Sequence, residues 1–120
     1  MPMRLGQSAL RTQTIGLRQR AWWVMRRHGV FTLPELLATV ADGGEKDAAS
    51  NLGHYLRALA KAGILSTEGR AAPEKPTSNG CLRYRLAVDC GRKAPVWRAS
   101  RGEVYDPNAQ IAYPMEAGHV

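Results

Sequence analysis

The stretch Asp47–Gly63, DAASNLGHYLRALAKAG, decides how the chain is read. Leu52, Tyr55, Leu56 and Leu59 recur at the spacing of one helical face, so the stretch predicts an amphipathic helix. Ser50, Asn51, His54, Arg57 and Lys61 fall on the remaining surface. Asp47 is placed to cap the free amides of the first turn, and Gly63 to take the left-handed conformation that ends a helix. The outward groups are short polar and cationic side chains, suited to base edges and phosphates. Any solvated helix has a similar surface, so the flanking segments carry the decision.

Upstream, TIGLRQRAWWVMRRH over residues 14–28 predicts a first helix. Leu17, Ala21, Val24 and His28 form one buried stripe, with Ile15, Trp22 and Met25 covering an adjacent one. Arg26 and Arg27 suit the negative end of the helix dipole, and Gly29 ends it. Trp22 and Trp23 point about 100 degrees apart on a helix, so only one can face a given core. The other is either a half-exposed surface residue or part of a subunit interface, where Trp is enriched. Val30-Phe31-Thr32 is β-prone and leads into a second helix. Thr32 and Glu35 have the capping-box spacing, Phe31 and Leu36 that of the hydrophobic staple, and Pro34 lies in the first turn. Leu33, Leu36, Leu37 and Val40 supply the buried face, and Asp42-Gly43-Gly44 stops the helix.

Downstream of Gly63 the period changes. Residues 64–69, ILSTEG, read as a strand, and residues 70–80, RAAPEKPTSNG, as a loop. From Cys81 to Val88 the chain alternates. Leu82, Tyr84, Leu86 and Val88 fall on one face, with Cys81, Arg83 and Arg85 on the other, the mark of a half-buried strand. Two strands joined by a basic, turn-rich loop make a hairpin. Residues 1–13 read as a flexible arm carrying Arg4 and Arg11, and residues 89–120 as an extended C-terminal strap anchored by Trp97.

The 120 residues suffice for one domain with a real core. Seventeen basic against 10 acidic residues give a net charge of +7, which favours a polyanionic partner. The excess is uneven: residues 1–65 hold nine basic and four acidic residues, residues 66–120 eight and six. The cationic surplus therefore gathers around the helices. No apolar run approaches the roughly 20 residues needed to span a bilayer, and MPMRLGQSAL lacks a signal-peptide core. A cytoplasmic protein without membrane contact is the expectation. Cys81 and Cys90 are too few for a disulfide framework or a four-ligand zinc site.

The order helix, short strand, helix, helix, hairpin resembles the winged helix-turn-helix superfamily of bacterial and phage regulators. FTLPELLATV, NLGHYLRALAKAGIL and CLRYRLAV carry the resemblance, which covers residues 14–88. The tail APVWRASRGEVYDPN resembles small proteins of Mu-like transposable phages, which implies a mobile-element origin. The superfamily resemblance implies an α+β fold of three helices plus a two- to three-stranded β-hairpin wing. It further implies a non-enzymatic regulator of double-stranded DNA, with helix 47–62 in the major groove. Ser50, Asn51, His54 and Arg57 would then face base edges, Asn51 suiting adenine and Arg57 guanine. Lys61, Arg70, Lys75, Arg83 and Arg85 would neutralise phosphates. Two features depart from the pattern: the DGGEKD link is longer and more acidic than a tight turn, and the third helix carries only Arg57 and Lys61 as permanent cations.

Chemistry for catalysis is not evident in the sequence. His28 and His119 lie far from any ligand-spaced partner, and Cys81 and Cys90 match no metal or redox spacing. Gly43-Gly44 follows a helix rather than a strand, so no phosphate loop is formed. The expectation is therefore no enzyme, no metal and no cofactor. The rival reading is a winged-helix module that docks proteins without touching DNA, and the unplaced Trp also suggests a homodimer through the first helix.

Overall fold

The computed structural model describes residues 16–40, 47–70 and 82–115. The arm 1–13, the link 41–46 and the loop 71–81, with Lys75 and Cys81, lie outside them. Among the described residues the fold is α+β: three helices and two small antiparallel three-stranded sheets. The elements are α1 (Leu17–His28), β1 (Val30–Thr32), α2 (Leu33–Val40), α3 (Ala48–Lys61), β2 (Leu65–Arg70) and β3 (Leu82–Leu86). After these come β4 (Val96–Arg98), a 3-10 turn (Ala99–Arg101), β5 (Glu103–Asp106) and β6 (Ile111–Pro114). The first sheet has the order β1-β3-β2 and the second β4-β5-β6.

The capping box is present at the start of α2. The Thr32 amide donates to Glu35 Oε1 at 3.0 Å, and the Glu35 amide donates to Thr32 Oγ1 at 3.3 Å. Both donors are local, and each is satisfied within one turn. α3 starts differently from expectation. Asp47 sits at φ 57°, ψ 33° and its side chain makes no capping bond. A side-chain cap needs an extended backbone at that position. Here the left-handed turn leaves only the Asp47 carbonyl in service, accepting from the Asn51 amide at 2.8 Å. At the other end Gly63 has the expected positive φ, 86°.

One core joins all layers. Leu17, Ala21, Trp22 and Met25 of α1 meet Leu36 and Val40 of α2, and Leu52, Tyr55, Leu56 and Leu59 of α3. Phe31, Ile64, Leu65 and Tyr84 close it from the first sheet, with the Phe31 and Tyr84 rings stacked at 6.1 Å. His28, assigned to the buried stripe, is exposed, and Val24 is only half-buried. The buried arc of α1 instead extends toward Trp22, because residues 89–95 cover that side. Trp22 is fully buried, and its indole N–H donates to the Gly91 carbonyl at 2.7 Å. Trp23 is 45 % exposed, its N–H donating to the Arg92 carbonyl at 3.1 Å.

The segment expected as an extended strap is a three-stranded meander. Its inner face carries Val104, which belongs to the core, with Trp97 and Tyr113 packed around it. The strands have three or four residues, too few for period-two alternation to be read against the Gly and Pro turns between them. Asp106 makes the second turn: its Oδ1 accepts from the Asn108 amide at 2.8 Å. Asn108 then grips both main-chain polar groups of Lys93. Its Oδ1 accepts the Lys93 amide at 3.0 Å, and its Nδ2 donates to the Lys93 carbonyl at 2.9 Å.

Two glycines make opposite predictions. Gly91 has φ +125°, and a Cβ there would lie 2.8 Å from Asn108 Cγ. Gly91→Ala should destabilise the fold by about 2 kcal/mol or more, through strain and a broken clamp. Gly53 lies inside α3, where an added Cβ meets only Leu33 at 3.6 Å and Arg57 at 3.8 Å. Gly53→Ala should therefore stabilise by about 0.5–1 kcal/mol. Urea unfolding of both variants checks the pair.

Candidate nucleic-acid interface

Burial of Leu52, Tyr55, Leu56 and Leu59 turns the opposite side of α3 outward. Ser50, His54, Arg57 and Lys61 are all exposed there. Their spacing of four, three and four residues aligns them into one ridge along the helix. Helical side chains lean toward the N-terminus, and Arg57 accordingly lies back over the preceding turn. Its Nη2 is 3.1 Å from His54 Nδ1. A guanidinium only donates, so this contact requires His54 Nδ1 to be the unprotonated ring nitrogen. The ridge adjoins the first sheet. Burial pushes the Tyr84 hydroxyl of β3 above its ordinary pKa, and the charge of Arg57 pulls it part of the way back.

Asn51 stands on the flank of this ridge, and a neighbour engages it. Arg18 of α1 donates from Nε to Asn51 Oδ1 at 2.7 Å. The same guanidinium lies over two rings, 5.0 Å from the Tyr55 centroid and 5.6 Å from that of Trp97. Tyr55 is itself fixed, its hydroxyl donating to the Pro95 carbonyl at 2.6 Å. Burial pushes that hydroxyl far above its ordinary pKa, with Arg18 opposing. The meander thus reaches the DNA-reading candidate through Trp97, Arg18 and Asn51. Nothing in the local sequence signals this relay, since Arg18 and Asn51 are 33 residues apart.

The proposed phosphate contacts divide. Lys61 is exposed at the C-terminal end of the ridge. Arg85 pairs with Glu68 across β2 and β3, which holds the Glu68 carboxyl below its ordinary value. Its charge is neutralised within the sheet. Arg83 is half-buried beside a hollow it lines with Val30, Phe31, Thr32 and Glu35. Arg70 ends β2 with its side chain outside the description, as is Lys75. The structure therefore brings Ser50, His54, Arg57 and Lys61 together, and separates Arg83 and Arg85 onto the sheet.

The described residues contain no group of three or more His, Cys, Asp or Glu placed to hold a metal ion. None of their helices is long and apolar enough to cross a membrane. Cys90 lies against the Tyr113 hydroxyl and the Asp106 carboxylate. Burial first, and then the charges of Asp106 and Asp89, push its thiol up to about 11. A thiol held neutral is a weak nucleophile.

No protein-family model matches the chain, and no curated protein or solved structure matches it. The functional reading accordingly stands on residue chemistry and geometry.

The Cys90 environment has a measurable consequence. Its folded value of about 11 exceeds the ordinary 9.0, so folding favours the neutral thiol. That contribution is present below pH 9 and is lost as pH rises from 9 toward 11. In a Cys81→Ser background, iodoacetamide should label native Cys90 slowly at pH 8, with the rate climbing toward pH 11. Labelling at pH 8 as fast as in urea would show that the thiol is not held neutral.

Proposed function

We propose that the protein is a double-stranded DNA-binding regulator of the winged-helix type, with α3 in the major groove and the β2–β3 hairpin as the wing. The observation that carries this reading is the exposed ridge Ser50, His54, Arg57 and Lys61 beside a strand pair. The order of elements from α1 to β3 is the one on which the resemblance rests, and the charge of +7 suits a polyanion. Regulation of a phage or mobile element is the expected setting, on the resemblance of the tail.

In this pose Arg57 is the deeper cation, with guanine as its natural partner, while Lys61 meets the backbone. His54 Nδ1 orients Arg57 and leaves its remaining N–H groups for the base. Asn51 is recast by its neighbour. Arg18 occupies a lone pair of the amide oxygen, so Asn51 offers mainly N–H donors. A bidentate adenine contact needs both the oxygen and the N–H. Donors alone suit guanine N7 and O6 or thymine O4. Among the phosphate contacts, Lys61, Arg70, Lys75 and Arg83 remain, with Arg85 satisfied by Glu68.

Four phosphate contacts give a log–log salt slope of about −3.5 for duplex binding. Affinities for one selected site and one scrambled site, measured at several salt concentrations, test this. Arg57→Ala should cost about 1–3 kcal/mol on the selected site and relax discrimination at one base pair. Lys61→Ala should weaken both duplexes alike and reduce the slope by about one. Arg18→Leu frees the Asn51 oxygen and should move the preference at that base pair toward adenine. Salt-insensitive binding, or no loss from either α3 variant, would remove α3 from the interface.

A further inference from the structure

The α3 ridge contains one contact that a single proton breaks. Arg57 Nη2 lies 3.1 Å from His54 Nδ1, and both side chains are exposed. A guanidinium has donors only, so the ring nitrogen accepts through a free lone pair. Protonated imidazole has no such lone pair, and its charge then faces that of Arg57. We propose that His54 is a positioning residue whose protonation releases Arg57 and lowers the selectivity with which the protein reads duplex DNA. The inference rests on α3 being the helix in the major groove, and adds to that reading the control of the site by pH.

The pair is local to one helix. Residues three apart are neighbours on its surface, so the contact opens without disturbing the core. Among the described residues no other hydrogen bond and no ion pair holds the Arg57 guanidinium. A guanine contact is bidentate and needs the guanidinium plane set in one orientation. His54 Nδ1 supplies that orientation before the duplex arrives, which lowers the ordering cost of binding. Once the nitrogen carries a proton, Arg57 is a mobile point charge, suited to any phosphate.

Histidine is the side chain that changes charge between about pH 5 and 8. The groups around the pair do not share that chemistry. On α3 they are the exposed Asp47, a carboxylate, Ser50, which is uncharged, and Lys61, a cation. From β3 comes the Tyr84 hydroxyl, which burial pushes further above its ordinary range and so keeps neutral. Arg83 of the same strand is a permanent cation, and Arg85 is paired with Glu68. Glu35 of α2 is engaged by the Thr32 amide. Protonation of His54 therefore moves two quantities in opposite senses. One more cation on the ridge strengthens attraction to any phosphate backbone, so a scrambled duplex binds more tightly as pH falls. The selected duplex gains less, because the base contact of Arg57 weakens at the same time. A general effect of acid on the fold would move both duplexes together.

The test is the affinity of the full chain for one selected and one scrambled duplex, at about pH 8 and about pH 5.5 and at fixed salt. Thermal melting at both pH values checks that the fold is kept. The ratio of the two Kd values should fall about three- to tenfold from the higher pH to the lower, the worth of one orienting hydrogen bond. The scrambled duplex should bind more tightly over the same change. His54→Asn carries an amide oxygen on Cγ where Nδ1 stands and takes up no proton, so its ratio should be independent of pH. His54→Leu lacks an acceptor and should show the reduced ratio already at the higher pH. His28→Asn, at the exposed end of α1, should follow the unaltered protein. A ratio that does not change with pH overturns the proposal and leaves the DNA reading standing. So does a pH dependence that survives in His54→Asn, or one that survives in Arg57→Ala, where His54 would be touching a base itself. Failure to bind either duplex at both pH values overturns the DNA reading and the proposal together.

Discussion

The hydrogen bond from the Trp22 indole to the Gly91 carbonyl is the contact on which the arrangement depends. Leaving the N–H of a fully buried Trp without an acceptor would cost about 1–3 kcal/mol. The acceptor here is main chain supplied from 69 residues away, so burying Trp22 also fixes residues 89–95 against α1. The rest follows from that placement. Gln19 bonds the Ala94 amide at 2.9 Å and the Arg92 carbonyl at 3.0 Å, and Arg26 holds Asp89. On the far side Asn108 grips Lys93. One short segment thus carries hydrogen bonds from a helix on one flank and from a sheet turn on the other.

This explains why the three tryptophans behave differently. Trp22 and Trp23 donate to consecutive carbonyls of the same segment and so act as two pegs for it. Trp97 has no such acceptor among the described residues, and its buried N–H is unpaired. Its contribution is the ring face, on which the Arg18 guanidinium rests. Because Arg18 is shared between that ring, Tyr55 and Asn51, the meander and the outward flank of α3 are chemically connected rather than merely adjacent.

What was legible in the sequence was what is decided within a few residues. The α2 capping box could be read because Thr32 and Glu35 satisfy each other, and α3 because its apolar period runs unbroken from Leu52 to Leu59. The outward ridge followed from the same period. Where a distant segment arbitrates, local pattern was mute. Trp22 and Trp23 are chemically identical neighbours, and only the path of residues 89–95 selects the buried one. His28 fits the stripe by spacing but ends α1 where no described residue covers it. Asp47 has the right side chain for a cap and the wrong backbone. Arg85 required the β2–β3 register to be matched with Glu68, and that register shifts between Thr67 and Arg70. The turns of the meander did leave a trace, in Arg101-Gly102 and Asp106-Pro107-Asn108, but its strands are too short to announce a sheet.

The distance in sequence between Trp22 and its acceptor also sets an order of events. α1, α2 and α3 draw on neighbouring stretches of chain and can form early. Closing a loop of 69 residues carries a larger entropic penalty and comes later. On the ribosome, where the chain emerges from its N-terminus, the Trp22 indole of α1 stays in water until residues 91–97 have cleared the exit tunnel and can cover it. Until then the nascent helices expose the largest side chain of their core. Transiently exposed apolar surface of this kind is what makes incomplete chains prone to aggregation.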